Sequence, residues 1–237
     1  MKAIKKEAPQ LNQQAMWRDP SSTAFYTWGG ITSYFAQPPP VEIWKFGVDG
    51  SGGGAWAKQT PKNVVTLSKL VRATEGAFTQ SKDVGYFLGG FASYQTDTSV
   101  TGDSTYLALP GIVAFNMTSG EFTNSSTTGL NNFGTLVGGS SQFVPFGPNG
   151  LLLFLGGGQS SVLTSWSAWT DVDFNNLSLY DPISESSSIP LGARKTGWLG
   201  VLFTNILDSP KVVRAGDYWL SANEARTFLR SRSPGTE

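Results

Sequence analysis

The sequence predicts an all-β chain built of a repeated four-stranded antiparallel unit. Three observations carry the prediction. Charged residues make up only 14% of the 237 residues, while aromatics reach 13% and glycine numbers 28. That mix disfavours helices and favours strands joined by tight turns. A short apolar run ending in Gly-Gly occurs three times, at 24–30, 84–90 and 151–157. A second block follows each copy: an apolar run reaching an aromatic, then a turn. Self-similarity at a spacing of 60 to 67 residues marks a repeat architecture.

The elements come in the same order each time. A candidate first strand precedes each Gly-Gly run, at Ala15–Arg18, Gly76–Thr79 and Ser141–Val144. The second strand is the run itself, nearly continuous in apolar residues, as a strand covered on both faces must be. Gly29-Gly30, Gly89-Gly90 and Gly156-Gly157 close it. Glycine there opens backbone angles barred to other residues and lets a neighbouring chain come close. The third strand carries the aromatics Trp44, Phe115 and Tyr180. Asp49-Gly50, Ser119-Gly120 and Asp181-Pro182 follow as hairpin turn signals. Trp56 and Phe122 then close the first two copies, each with an aromatic placed to pack between adjacent sheets.

Composition excludes several kinds of chemistry. There is no cysteine and no histidine. The chain therefore has no disulfide framework, no thiolate nucleophile, no imidazole base and no His- or Cys-ligated metal. Seventeen basic residues balance seventeen acidic ones, unlike the basic footprint of a nucleic-acid-binding domain. The longest apolar run, near 151–155, is far short of the roughly 20 residues of a membrane-spanning helix. The stretch 1–9 lacks the apolar core of a signal peptide. Three Asn-X-Ser/Thr sequons, at Asn116, Asn124 and Asn176, hint instead at a secreted or cell-surface parent. Compartment stays open.

The ordered blocks resemble the kelch repeat of β-propellers. Phe25-Tyr-Thr-Trp-Gly-Gly and Tyr180-Asp-Pro-Ile-Ser are similar to the kelch-type propeller ectodomains of fungal membrane proteins, within the galactose-oxidase-like superfamily. The resemblance implies an incomplete kelch-type propeller of about three blades, at 11–62, 63–129 and 130–186, after an N-terminal tail at 1–10. It implies a non-enzymatic scaffold that presents loops to a protein partner, with no cofactor and no metal. The alternative is a carbohydrate-binding module for cell-wall glycans, or a truncated fragment without independent function. The copper-radical site of galactose oxidase needs His ligands and a Tyr–Cys cross-link, and this chain has neither residue type. Propellers carry about 4–8 blades, so three leave two open faces, through which the chain is expected to self-associate.

The third copy breaks off where a closing aromatic belongs, at Ser186-Ser-Ser-Ile. Between Lys82 and Arg194 there is no Lys or Arg, whereas seven follow from Arg194 onward. Residues 187–237 therefore read as foreign to the repeat, from a retained intron, a frameshift or a truncated gene model. A genuine extension that caps the open stack is the alternative. Ser221 and Glu224 fit the capping box of a short helix at 221–230.

Binding candidates fall in the two longest inserts, since loops on a rigid scaffold are where binding surfaces form. Trp166 and Trp169 lie in Gln159–Asp173, and Asp97 and Asp103 lie in Phe91–Leu107. Asp171 and Asp173 would share a strand face, but an exposed strand edge accounts for them without a hydrolytic pair. The glycine runs at 50–54 and 156–158 lack the Gly-Lys-Ser/Thr of a phosphate loop. No catalytic residue emerges.

Overall fold

The computed structural model describes residues 7–34, 36–128, 130–145, 149–161, 163–164, 169–172, 178–184, 186–188, 213–215 and 218–220. Among them are nineteen strands and one four-residue helix. The first sheet takes its strands in chain order: β1 (Ala15–Arg18), β2 (Ala24–Trp28), β3 (Ile43–Val48) and β4 (Gly54–Gln59). Helix α1 (Val64–Leu67) lies in the linker that follows. The second sheet is made of β5 (Ala77–Gln80), β6 (Val84–Leu88), β9 (Ile112–Asn116) and β10 (Glu121–Ser125), with β7 (Phe91–Ala92) and β8 (Tyr106–Ala108) inserted between β6 and β9. The third is made of β11 (Ser140–Val144), β12 (Leu151–Leu155), β16 (Ser178–Asp181) and β17 (Ser186–Ser188). Its insert carries β13 (Gly158–Gln159), β14 (Leu163–Thr164) and β15 (Thr170–Asp171). Every pairing is antiparallel. The strand β17 extends two residues past position 186. In the tail, β18 (Val213–Ala215) pairs with β19 (Tyr218–Leu220); the helix expected at 221–230 lies outside the described residues.

The three sheets are successive copies in register. Phe25, Phe46 and Trp56 lie opposite one another across the first sheet. Gly85, Phe115 and Phe122 do so in the second, and Leu152, Tyr180 and Ser187 in the third. The counterpart of Phe115 and Tyr180 is thus Phe46, two residues beyond Trp44. Ser187 occupies the backbone position of the closing aromatic. An aspartate or asparagine caps each third-to-fourth-strand hairpin. Asp49 Oδ1 accepts from the Ser51 and Gly53 N–H groups, Asn116 Oδ1 from Thr118 and Ser119, and Asp181 Oδ1 from Ile183 and Ser184. These Asx turns replace hydrogen bonds that the strands cannot supply at the bend. They also hold the Asp49 and Asp181 carboxyls below the usual carboxylate range, through the N–H of Ser51 and of Ile183 first.

First strands lie side by side, β1 against β5 and β5 against β11, and the sheets stand off from that line with their faces together. Call front the face each sheet turns to its successor, and back the other. The front of the first sheet meets the back of the second: Tyr26 on Phe115 at 5.3 Å and Trp28 on Phe122 at 4.9 Å, in a cluster with Trp17, Ile43 and Phe87. The front of the second meets the back of the third through Tyr86, Leu88, Ile112, Leu152, Phe154 and Tyr180. Burying aromatic rings of this size is the main source of cohesion between the sheets. Polar stitches join the first strands. The Gln80 side chain accepts from the Arg18 N–H at 2.6 Å and donates to its carbonyl at 3.0 Å, while the Phe143 N–H donates to Thr79 Oγ1 at 2.9 Å. The result is an incomplete, propeller-like all-β fold.

The first two Gly-Gly pairs mark where a sheet touches the linker of the next. Gly30 N–H donates to the Ala73 carbonyl at 2.8 Å and Gly90 N–H to the Leu136 carbonyl at 2.7 Å. A Cβ on Gly29 would stand 2.8 Å from the Ala73 oxygen, and one on Gly89 2.4 Å from that of Leu136. Both glycines of each pair also have φ between +61° and +100°, where side chains are strained.

Candidate functional site

The residues after each Gly-Gly form a layer over one end of the sheets. Equivalent backbone bridges anchor the layer: Asn12 to Ile31, Thr74 to Phe91 and Val137 to Gly158. Each bridge ties the start of an insert to the chain entering that sheet's own first strand. Two side chains add further ties, one from the first insert to the second and one from the linker entering the third sheet to that sheet's own insert. Thr32 donates through both its N–H and its hydroxyl to the Gln95 carbonyl, at 3.1 and 3.0 Å. Thr135 Oγ1 donates to the Ser160 carbonyl at 2.6 Å and accepts from the Ser160 N–H at 3.1 Å.

The two inserts singled out by their length come together. Strand β14, from the third sheet's insert, pairs with β8 from the second's, making a three-stranded sheet with β7. Beneath it, buried Phe91 packs edge-on against Tyr106 at 5.5 Å and Trp169 at 5.7 Å. Trp169 is half-buried in that cluster, with Val137 and Ala108 as further neighbours. Trp166 and Asp173 lie outside the described residues. Asp97 is buried, and its carboxylate accepts from the Arg72 N–H, the Ser99 N–H and the Ser99 hydroxyl. Arg72 is buried beside it and donates to the Pro39 carbonyl. Burial lowers the Arg72 pKa, against the pull of Asp97 and Glu42. Asp97 and Arg72 thus brace the insert from inside. Asp103 stands exposed in the same insert.

Tyr34, Tyr94 and Tyr106 did not stand out in the sequence. Tyr34 is 70% exposed. Tyr94 has its phenol pKa raised, first by desolvation and then by the nearby Tyr34, Asp103 and Tyr106. One signal marked them: all three follow a Gly-Gly pair by 4 to 16 residues. The layer thus offers tyrosines, a carboxylate and a tryptophan edge, which suits recognition of polar, planar or ring-bearing surfaces.

Among the described residues no group of three or more His, Cys, Asp or Glu is placed to hold a metal ion. Asp171 is exposed on β15. A pocket of about 120 Å³ opens between the first two sheets, lined by Trp28, Leu70, Phe87, Val113 and Asn124 among others. It is well below the roughly 300–1,000 Å³ of small-molecule sites. Of the sequons, Asn116 is half-buried and engaged in its turn, Asn124 is exposed, and Asn176 lies outside the described residues. No described helix is long and apolar enough to cross a membrane.

No protein-family profile matches the chain, and no curated protein matches it. Among solved structures the chain is similar to YjhT, at 10% identity and a TM-score of 0.49, over 79% of this chain and 52% of that one. The chain thus spans about half the length of that protein.

Proposed function

We propose that the chain is a kelch-type propeller scaffold, without enzymatic activity, whose loop layer docks a protein partner. The observation that carries this reading is the splicing of two inserts into one surface by β14 on β8. A shared sheet holds loops from two repeats in fixed relation, as a broad protein contact requires. The kelch assignment rests on the repeated signature, Gly29-Gly30, Gly89-Gly90 and Gly156-Gly157 with Phe115, Phe122, Trp56, Tyr180 and Asp181, falling at equivalent places in three sheets. Within the contact, Tyr34, Tyr94 and Asp103 face the partner and Trp169 borders it; Trp166, outside the described residues, is a further binding candidate from the sequence alone. Asp97 keeps its insert in shape.

The alternative, a glycan-binding module, needs an aromatic face open for sugar stacking. The Trp169 ring is packed against Phe91, which favours the protein partner. The test places a photo-crosslinking amino acid at Tyr34 or Tyr94, with Val65 and Ile183, exposed residues outside the inserts, as controls. Adducts to one discrete protein from Tyr34 and Tyr94, absent from the controls, are the expected result. Saturable binding of β-glucan, chitin or mannan that shifts tryptophan fluorescence, without protein adducts, would establish the glycan reading in its place.

A further inference from the structure

The back of the first sheet repeats the surface that, on the second and third sheets, receives a neighbour. Phe25, Phe46 and Trp56 lie on it with ring centroids 5.2 to 5.5 Å apart, in the register of Gly85, Phe115 and Phe122. Half-buried Trp44 and exposed Met16 and Val48 extend the same face. Among the described residues none of these six belongs to a buried cluster. The front of the third sheet is the complementary surface. Leu153 and Leu155 sit there, at the positions from which Tyr26 and Trp28, and then Tyr86 and Leu88, enter the next sheet. With Leu151 they form a half-buried aliphatic row.

We propose that a second copy of this chain fills both faces, front of third sheet on back of first, so that two chains close head to tail into a six-sheet ring. The contact continues one already made twice within the chain, and both halves of it are carried by the same polypeptide. A second copy is therefore sufficient to cover both. Head-to-tail contacts run on into filaments unless the rotation closes, and six sheets lie within the 4–8 of known propellers. The proposal rests on the propeller reading above.

The internal contacts say which residues should meet. Thr79, on a front, lies against Phe143, on the following back. Their counterparts across the new contact are Gln142 and Arg18, both exposed. The chain has no cysteine, so cross-linking starts from a clean background. Arg18→Cys and Gln142→Cys proteins are oxidised separately and mixed, and masses in solution are measured by light scattering. Thr79→Cys/Phe143→Cys serves as the intrachain control. The expected result is a species of twice the chain mass, a disulfide dimer in the mixture alone, and a faster-migrating control with its intrachain bridge. A monomer without interchain disulfide, beside a bridged control, overturns closure while leaving the propeller reading intact. An unbridged control removes that reading and the closure with it. Dimers from either single variant would mean a face-to-face contact, and a polymer ladder from Arg18→Cys/Gln142→Cys an open filament; either outcome overturns the proposal.

Discussion

Gly85 lies directly against the Trp17 indole between the first two sheets, and a single methyl group tests the contact. A Cβ at Gly85 would stand 2.1 Å from Trp17 Cδ2 and 2.4 Å from its Cγ. Trp17 is fully buried, so the indole has little room to retreat. Overpacking such a contact costs about 1–3 kcal/mol, and more when a rigid ring must move. We expect Gly85→Ala to cost about 3 kcal/mol, which is roughly a hundredfold in the unfolding constant. For a chain of this size that lowers Tm by about 6–12 °C. The next interface solves the same problem the other way round, with small Thr79 at the Trp17 position and Leu152 at the Gly85 position. Trp17→Thr alone should empty the site and cost about 3–5 kcal/mol. Gly85→Leu combined with Trp17→Thr copies the second interface into the first. It should be more stable than Trp17→Thr alone, with a coupling of about 2 kcal/mol or more. Urea unfolding followed by circular dichroism measures all of these variants. A Gly85→Ala protein within about 0.5 kcal/mol of the parent, or simple additivity in the double variant, would refute the reasoning.

Three further outcomes follow from individual residues. Gly90→Ala and Gly120→Ala both place alanine at positive φ, +77° and +74°, but only at Gly90 does the new Cβ meet the Thr74 carbonyl, at 2.3 Å. Gly120→Ala should cost about 1–2 kcal/mol and Gly90→Ala at least about 2 kcal/mol more, as read from urea midpoints; equal costs would show that the linker yields at Gly90. Burial opposes the charge on Asp19, but hydrogen bonds from Lys45, at 2.6 Å, and from Ser21 outweigh it and hold the carboxyl at about 2. Its stabilising effect is complete above about pH 4 and disappears as pH falls towards 2. The urea midpoint of the parent should therefore drop more steeply over that window than that of Asp19→Asn, and parallel curves would remove Asp19 from the account. Ser22, exposed at φ +61°, should accept glycine with a gain of about 0.5–1 kcal/mol; a loss in thermal melts would show that its side chain has a structural use.

The sheets were legible in the sequence because their signals are local. An apolar run of five residues, a pair of glycines and an Asx turn each state their own conformation. Three copies in one order tell a repeat from chance, so Ala24–Trp28, Val84–Leu88 and Leu151–Leu155 could be placed without a partner in view. The choice between Trp44 and Phe46 was not local. Both are aromatic, share one face and lie two residues apart, and only the pairing with Phe25 and Trp56 distinguishes them. The short helix Val64–Leu67 escaped because it has no apolar period, no side-chain cap and no buried residue. The site was partly visible. Insert length pointed to 91–107 and 159–173, but nothing in either stretch announced that β14 would pair with β8. Two-residue strands carry almost no pattern, and their pairing is decided by the sheets that bring them together. Asp97 drew attention as a binding candidate in a long insert; its partners Arg72 and Ser99 are one long-range and one local contact, of which only the second could be read from spacing.

The pairing of β14 with β8 also bears on how the chain is made. In a simple repeat array each unit can finish folding once its immediate neighbour is present. Here the second unit cannot complete its upper sheet until Leu163 and Thr164 arrive, more than fifty residues after Tyr106. During synthesis at about 5–20 residues per second, the edge of β8 stays bare for several seconds, the interval in which an unpaired strand is most open to a wrong partner. Tyr106 and Leu107 thus wait for their strand, and the third repeat serves as the chaperone of the second.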